Sequence, residues 1–229
     1  MTTNKYCLGI ALIMEGDTEK YFYEEILKRI CIDNQINFEK VLDEEELSYF
    51  YELTYNEQTV IVKIKNTETI TQITNQYLWF KNNCSDKYNN INWYVALCYD
   101  TDGKSITAFS QFDWYSLKER ICNLNNVKEI FDCAAQQDVE DLFLIDFKGI
   151  LNFLNVTDNL DVTDLKGRKG KIKLKNLYTD YTSLTYHEGK RALPLICSLD
   201  LRKIIIESNN NIKRIEEIIV GILIKKEEV

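Results

Sequence analysis

Acidic residues follow two apolar segments of the chain at the points where those segments end. Leu8–Met14 (LGIALIM) is followed by Glu15, and residues 93–99 (WYVALCY) are followed by Asp100 and Asp102. Apolar runs of this length, bounded by acidic residues and glycine, are typical of buried strands in a parallel sheet. In open α/β sheets, ligands bind just beyond the carboxyl ends of such strands. If the two strands are neighbours, three carboxylates converge at one edge of the sheet.

Carboxylates held this close repel one another unless a cation neutralises them, and a hard cation such as Mg2+ prefers oxygen ligands. Asp100 and Asp102 are two residues apart on a strand, so they share a face at a separation of about 7 Å. Glu15 suits either a ligand or a general acid or base. The alternative is that these acids merely end their strands and cap the helices that follow.

Strands alternate with helices along the first two thirds of the chain. Beside the two apolar segments, the hydrophobic spacing predicts strands at residues 59–64 and 129–134, and helices from Asp17 onward and at residues 67–80, 106–121 and 139–154. This order predicts an α/β fold with a mostly parallel sheet flanked by helices. Beyond residue 155 we expect helices at residues 191–207 and 211–224. We therefore expect a catalytic domain at residues 1–155 and, at residues 156–229, a basic segment with a helical C-terminal extension packed on the core.

Composition excludes several classes of protein. The net charge of -8 argues against a generally basic nucleic-acid coat protein. One His and seven Cys without C-x-x-C spacing disfavour a zinc site and favour reduced thiols. We find neither a signal peptide nor a membrane-spanning segment, which predicts a cytoplasmic protein without a membrane partner. Residues 166–175 (KGRKGKIKLK) carry six Lys or Arg. We slightly favour the interpretation that this segment is a solvated loop; the alternative is that it binds a polyanion such as a nucleic acid.

Three stretches in order carry a resemblance to a known family. Residues 15–27 (EGDTEKYFYEEIL), the later strand ending in Asp100 and Asp102, and residues 137–154 (QDVEDLFLIDFKGILNFL) resemble the Toprim domain. The likeness extends over about residues 8–155 and is greatest to the small Toprim nucleases of the OLD and RloB-like groups of bacterial phage-defence systems. Leu142 stands where that family usually has Trp.

The resemblance implies a Rossmann-like Toprim fold and a Mg2+- or Mn2+-dependent endonuclease that cleaves DNA or RNA. It implies that Glu15 is the Toprim glutamate, that Asp100 and Asp102 bind the metal, and that Glu140 is a further acidic ligand. Lys190 is similar in placement to a lysine that acts near the phosphate. The resemblance also implies a toxic effector of anti-phage defence that works with a partner ATPase. A homodimer is compatible with this family. The chain has no Walker A sequence, so an ATPase function must come from another protein.

Two other functions remain open at this point. The chain could be a non-catalytic Toprim-like module that senses or binds a partner. The order Asp100-Thr101-Asp102-Gly103 also resembles haloacid-dehalogenase-type phosphatases. That family places the motif at its first strand and needs later partners that this chain lacks, so we rank it lowest.

Overall fold

The computed structural model describes residues 5–42, 47–101 and 111–224, and its strands form one six-stranded sheet. The order across the sheet is β2-β3-β4-β1-β5-β6. The strands are β1 (Leu8–Met14), β2 (Asn37–Val41), β3 (Ser48–Tyr55), β4 (Gln58–Asn66), β5 (Asn92–Asp100) and β6 (Val127–Ala135). β1 pairs in parallel with β4 and β5, and β5 pairs in parallel with β6. The predicted α/β fold with a mostly parallel sheet is confirmed.

The central parallel strands β1, β4 and β5 are largely buried on both faces, whereas the edge strand β6 is only partly buried. Every residue of β1 is buried. Gly9 has a packing role there, because a Cβ atom at this position would lie 2.5 Å from Cε3 of Trp93 on the neighbouring strand β5. The indole ring thus fills the space over Gly9, so β1 and β5 pack against each other with complementary shapes at this point.

Helices cover both faces of the sheet. α1 (Asp17–Asp33) and the helices after β6 share one apolar core with β1. α2 (Ile70–Ile73), α3 (Tyr77–Phe80), a π-helical turn (Lys81–Asp86) and α4 (Gln111–Cys122) cover the other face. The later helices are α5 (Val139–Phe143), α6 (Phe147–Leu154), α7 (Gly170–Tyr181), α8 (Leu193–Ser198), α9 (Leu201–Glu207) and α10 (Ile212–Leu223). Helices α7 to α10 thus follow residue 155, and the division into a catalytic domain and a C-terminal extension stays a prediction. No helix among the described residues is long and apolar enough to cross a bilayer.

Several predicted elements differ from those observed. β2 and β3 form an antiparallel hairpin beside β4, where we had predicted no strands. The predicted helix at residues 67–80 is two short helices. The predicted helix at 139–154 is broken because Asp146 is buried between α5 and α6, where its Oδ1 accepts from the Gly149 N–H (3.3 Å) and its Oδ2 from the Asp200 N–H (2.7 Å). The favoured interpretation of the basic segment as a loop was wrong from Gly170 onward, where α7 begins.

Candidate metal centre

The site lies at the carboxyl ends of the two central strands. The chain runs from β1 to β4 on one side and later to β5 on the other, so the cleft between β1 and β5 is the switch point at which open α/β sheets bind ligands. Met14 pairs with Cys98 in this register. Glu15 follows, its N–H donating to the Cys98 carbonyl (3.2 Å) and its Oε2 accepting from the Asp100 N–H (3.3 Å). The structure thus brings Glu15 and Asp100 together, as predicted.

Glu19 is the third carboxylate of the site, and sequence reasoning missed it. One carboxylate oxygen each from Glu15, Glu19 and Asp100 lie within 4.8 Å of one another. Glu19 sits in the first turn of α1, where an acid is ordinarily explained by the helix dipole. Its burial, at 6% exposed, distinguishes it from such an acid. The signal in the sequence was the E-x-x-x-E spacing across a strand-to-helix turn.

These carboxylates line a cavity of about 400 Å³. Glu140, predicted as a further ligand, is buried in its wall, and its Oε1 accepts a hydrogen bond of 2.7 Å from the Tyr186 hydroxyl. Glu68 and Glu188 line it as well. Among the described lining residues, Lys171 is the cation. The cavity is therefore strongly acidic, with one positive charge on its wall.

Burial raises the pKa of three carboxyl groups of the cavity. It raises the pKa of Asp100 to about 10, and the charges of Glu19, Glu15 and Glu140 add to that effect. Burial likewise raises the pKa of Glu19 to about 8, reinforced by Glu15 and Glu140 and opposed by a hydrogen bond from its own backbone. Burial also raises the pKa of Glu140 to about 7, although the Tyr186 hydrogen bond opposes it. The neighbouring acids thus share a space in which they cannot all be ionised without a compensating cation.

The donor set fits a divalent metal. Oδ1 of Asp100 is buried and has no hydrogen-bond partner among the residues that the structure describes. A buried carboxylate oxygen without a donor is costly unless a cation or a proton compensates it. Oxygen ligands from Glu15, Glu19 and Asp100 are those that Mg2+ and Mn2+ prefer.

Lys171 reaches the cavity because α7 is docked on the start of α5. Both carboxylate oxygens of Asp138 accept from the Lys171 N–H at 3.2 Å. A Cβ atom on Gly170 would lie 2.3 Å from the Asp141 nitrogen, so only glycine permits this approach. The Lys171 ammonium then forms an ion pair with Glu188 Oε2 at 2.7 Å.

The segment that carries Glu188 is tied to the first turn of α1. The Gly189 N–H donates to Thr18 Oγ1 at 2.8 Å, and Gly189 has a φ of +64°, a region that favours glycine. Lys190 follows immediately but is exposed and does not line the cavity. Its predicted role at the phosphate stays a prediction. Asp102 lies outside the described residues, and its role as a ligand also stays a prediction.

Comparisons with known proteins leave the family open. No protein-family model and no curated protein matches the chain. Among solved structures, a mutant futalosine hydrolase of Helicobacter pylori has 9% identity and a TM-score of 0.31, over 94% of this chain and 98% of that chain. A 5'-methylthioadenosine/S-adenosyl homocysteine nucleosidase of Campylobacter jejuni has 9% identity and a TM-score of 0.29, over 93% and 97%. Scores this low do not establish a shared fold, and the activities in those names are not carried over to this chain.

Proposed function

We propose that the chain is a Mg2+- or Mn2+-dependent nuclease that cleaves phosphodiester bonds in DNA or RNA. The observation that carries the proposal is the meeting of Glu15, Glu19 and Asp100 at the switch point, with one Asp100 oxygen buried and unpartnered among the described residues. These three residues would hold the cation. The resemblance to Toprim nucleases supports the same assignment for Glu15 and Asp100, and adds Asp102 as a ligand.

The bound cation would lower the pKa of a bound water molecule, and it would place positive charge beside the phosphate. The residues of the chain do the rest. Lys171 brings an ammonium group to the cavity wall, where it can offset charge that develops on phosphate oxygens. Glu188 pairs with this ammonium and keeps it at the rim. Tyr186 holds Glu140 in place by its hydrogen bond, so that carboxyl group is oriented before any substrate arrives.

The resemblance also supports a biological context for this activity. We infer a toxic effector of anti-phage defence that works with a partner ATPase. Such an effector needs control, since uncontrolled cleavage would harm its own cell. The chain would then be tested both alone and together with the product of a neighbouring ATPase gene.

A cleavage assay tests the function. The purified chain is incubated with end-labelled single- and double-stranded DNA and RNA in Mg2+, in Mn2+ or in a chelator. We expect internal cuts that need the metal and disappear in Asp100→Asn, while Asp158→Asn, the same change at an exposed loop position, cleaves like the wild type. Release of phosphate from small phosphoesters without cuts in nucleic acid would instead favour the phosphatase. Biological activity that survives in Asp100→Asn would favour the non-catalytic module.

A further inference from the structure

A second cavity, of about 420 Å³, lies at the carboxyl end of the edge strand β6. It shares two walls with the acidic cavity. At the end of β5, Asp100 lines the acidic cavity and the next residue, Thr101, lines the second one. In α5, Glu140 lines the acidic cavity and Asp141 lines the second one. A molecule bound at the acidic cavity therefore has the second cavity as its immediate neighbour.

The shared wall is fixed by the sheet itself. The Thr101 N–H donates to the carbonyl of Ala135 at 3.2 Å, which extends the pairing of β5 and β6 by one residue. Ala134 and Ala135 line the second cavity from the end of β6. Their small side chains leave the space that a larger residue would fill.

The lining of the second cavity suits a neutral, planar and polar group. Leu142 and Ile145 supply apolar surface, and Gln136 and Asn210 supply amides. Its charged lining residues are acids, including Asp141, and none of its described lining residues is Lys, Arg or His. A phosphate would be repelled here. The volume falls within the range of small-molecule sites, about 300–1,000 Å³.

Asn210 provides an unused donor at this cavity. Its Oδ1 accepts from the Ser208 hydroxyl and from the Ile212 N–H, each at 3.1 Å, and these two bonds set the orientation of the amide. Its Nδ2 is buried and has no partner among the residues described. This atom is closed to solvent, so an acceptor on a ligand in the cavity would satisfy it after a small shift of the side chain that opens Nδ2 to the cavity.

We propose that the second cavity holds a nucleobase of the substrate while the adjoining phosphodiester lies at the acidic cavity, an inference that rests on the proposed nuclease function. The base edge would accept from the Asn210 amide and donate an amino group to a carboxylate such as Asp141. Adenine, guanine and cytosine carry such an amino group, and uracil does not. A base in this cavity is out of its stack, so the substrate is single-stranded or locally unpaired.

Binding of nucleosides tests the proposal without requiring cleavage. Adenosine, guanosine, cytidine and uridine are titrated in turn into the full chain in chelator, and the side-chain amide signals are followed by 15N NMR. We expect an amino-bearing nucleoside to bind with a dissociation constant on the order of 0.1–1 mM and to shift the Asn210 amide signal. Uridine should bind most weakly.

Matched variants decide the result. Asn210→Asp keeps the Oδ1 contacts but removes the donor, and Ala134→Phe fills the cavity; each should weaken binding at least about tenfold, an increase of about one unit in log Kd. Asn152→Asp, the same change on an exposed position of α6, should bind like the wild type. The proposal is overturned if no nucleoside binds, or if both cavity variants bind like the wild type. Asp100→Asn should still bind nucleosides, so a failed cleavage assay and a failed base site are separate outcomes.

Discussion

Asp100 ends β5 with a carboxyl group whose Oδ1 is buried and, within the described part of the chain, unpartnered. Ordinary structural roles do not explain such an atom, because an acid that only ends a strand or caps a helix keeps its oxygens hydrated or hydrogen-bonded. Glu15 and Glu19 bring further carboxylate oxygens to within 4.8 Å. At the scale of single residues, a metal centre therefore requires these three side chains to act together.

Glu19 is the residue whose role separates a metal centre from a helix-capping acid. We expect Glu19→Gln to reduce metal-dependent cleavage by at least about tenfold to a hundredfold, since losing a ligand should cost no less than removing a residue behind a ligand. Glu25→Gln, the same change later on α1, is the control and should retain activity. The rate of metal-dependent cleavage measures both. A Glu19→Gln protein that is as active as the control would restrict Glu19 to a structural role.

Two lysines compete for the role of the cation at the phosphate. Lys171 lines the acidic cavity, whereas Lys190, which the resemblance implies, is exposed outside it. We expect Lys171→Gln to lower kcat of cleavage about tenfold to a hundredfold by removing transition-state charge stabilisation, with a smaller effect on KM. Lys190→Gln should lower it less. The reverse order in kcat would assign the role to Lys190.

Among the elements, α7 has the most consequence for the site because it carries Lys171. Its first residue, Gly170, contacts the backbone of α5 so closely that a Cβ atom would lie 2.3 Å from the Asp141 nitrogen. We expect Gly170→Ala to destabilise the fold by about 1–3 kcal/mol through overpacking. The midpoint of urea unfolding measures this change.

Gly221 in α10 provides the matched control. A Cβ atom there would have no heavy atom within 4 Å. We expect Gly221→Ala to stabilise the protein by about 0.5–1 kcal/mol, because alanine favours the helix and restricts the unfolded chain. If Gly170→Ala stabilised the protein as much as Gly221→Ala does, this result would contradict the close contact between α7 and α5.

The sequence predicts the elements whose burial is uniform and misses those whose burial depends on a partner. β1 and β5 are continuous apolar runs, so their strands and the meeting of Glu15 with Asp100 could be predicted. β2 (NFEKV) is an edge strand with largely exposed, partly charged residues, and its period is not recognisable. α7 has few apolar residues, and its cations conceal the buried Leu174 and Leu177.

The site was predictable to the same extent. Glu15 and Asp100 lie at strand ends, where the position of a side chain follows from the sheet. Glu19 and Glu140 stand in first helical turns, where acids are common, and only packing reveals that both are buried. Lys171 comes from a helix far along the chain, and its approach depends on the contact of Gly170 with α5, which no local pattern encodes.

For the whole molecule, the buried acids should make stability depend on pH when no metal is present. The folded-state pKa values of Asp100 (about 10), Glu19 (about 8) and Glu140 (about 7) lie above those of the unfolded chain, about 4. The folded protein then holds protons that the unfolded chain releases, so these groups lower stability as pH rises above about 4, until each folded-state pKa is passed.

We therefore expect the chelator-treated protein to lose stability between about pH 5 and pH 8. Asp100→Asn should reduce that loss by up to about 4 kcal/mol, because its amide cannot ionise and a proton held only in the folded state costs about 1.4 kcal/mol for each pH unit. Asp158→Asn, at an exposed position, should leave the slope unchanged. Urea unfolding at each pH measures the free energy. Equal slopes in wild type and Asp100→Asn would show that Asp100 ionises in the folded protein without cost.

The same protons give the most direct test of the acidic cavity as a metal centre. At pH 7, Asp100 and Glu19, with pKa values of about 10 and about 8, hold protons that a divalent cation must displace. Calorimetric titration of Mn2+ in buffers of different ionisation enthalpy counts the protons released. We predict that Mn2+ binds at one site with release of about one to two protons. In Asp100→Asn, both the binding and the proton release should be lost. Absence of binding, or binding without proton release, would contradict the assignment of Glu15, Glu19 and Asp100 as a metal centre.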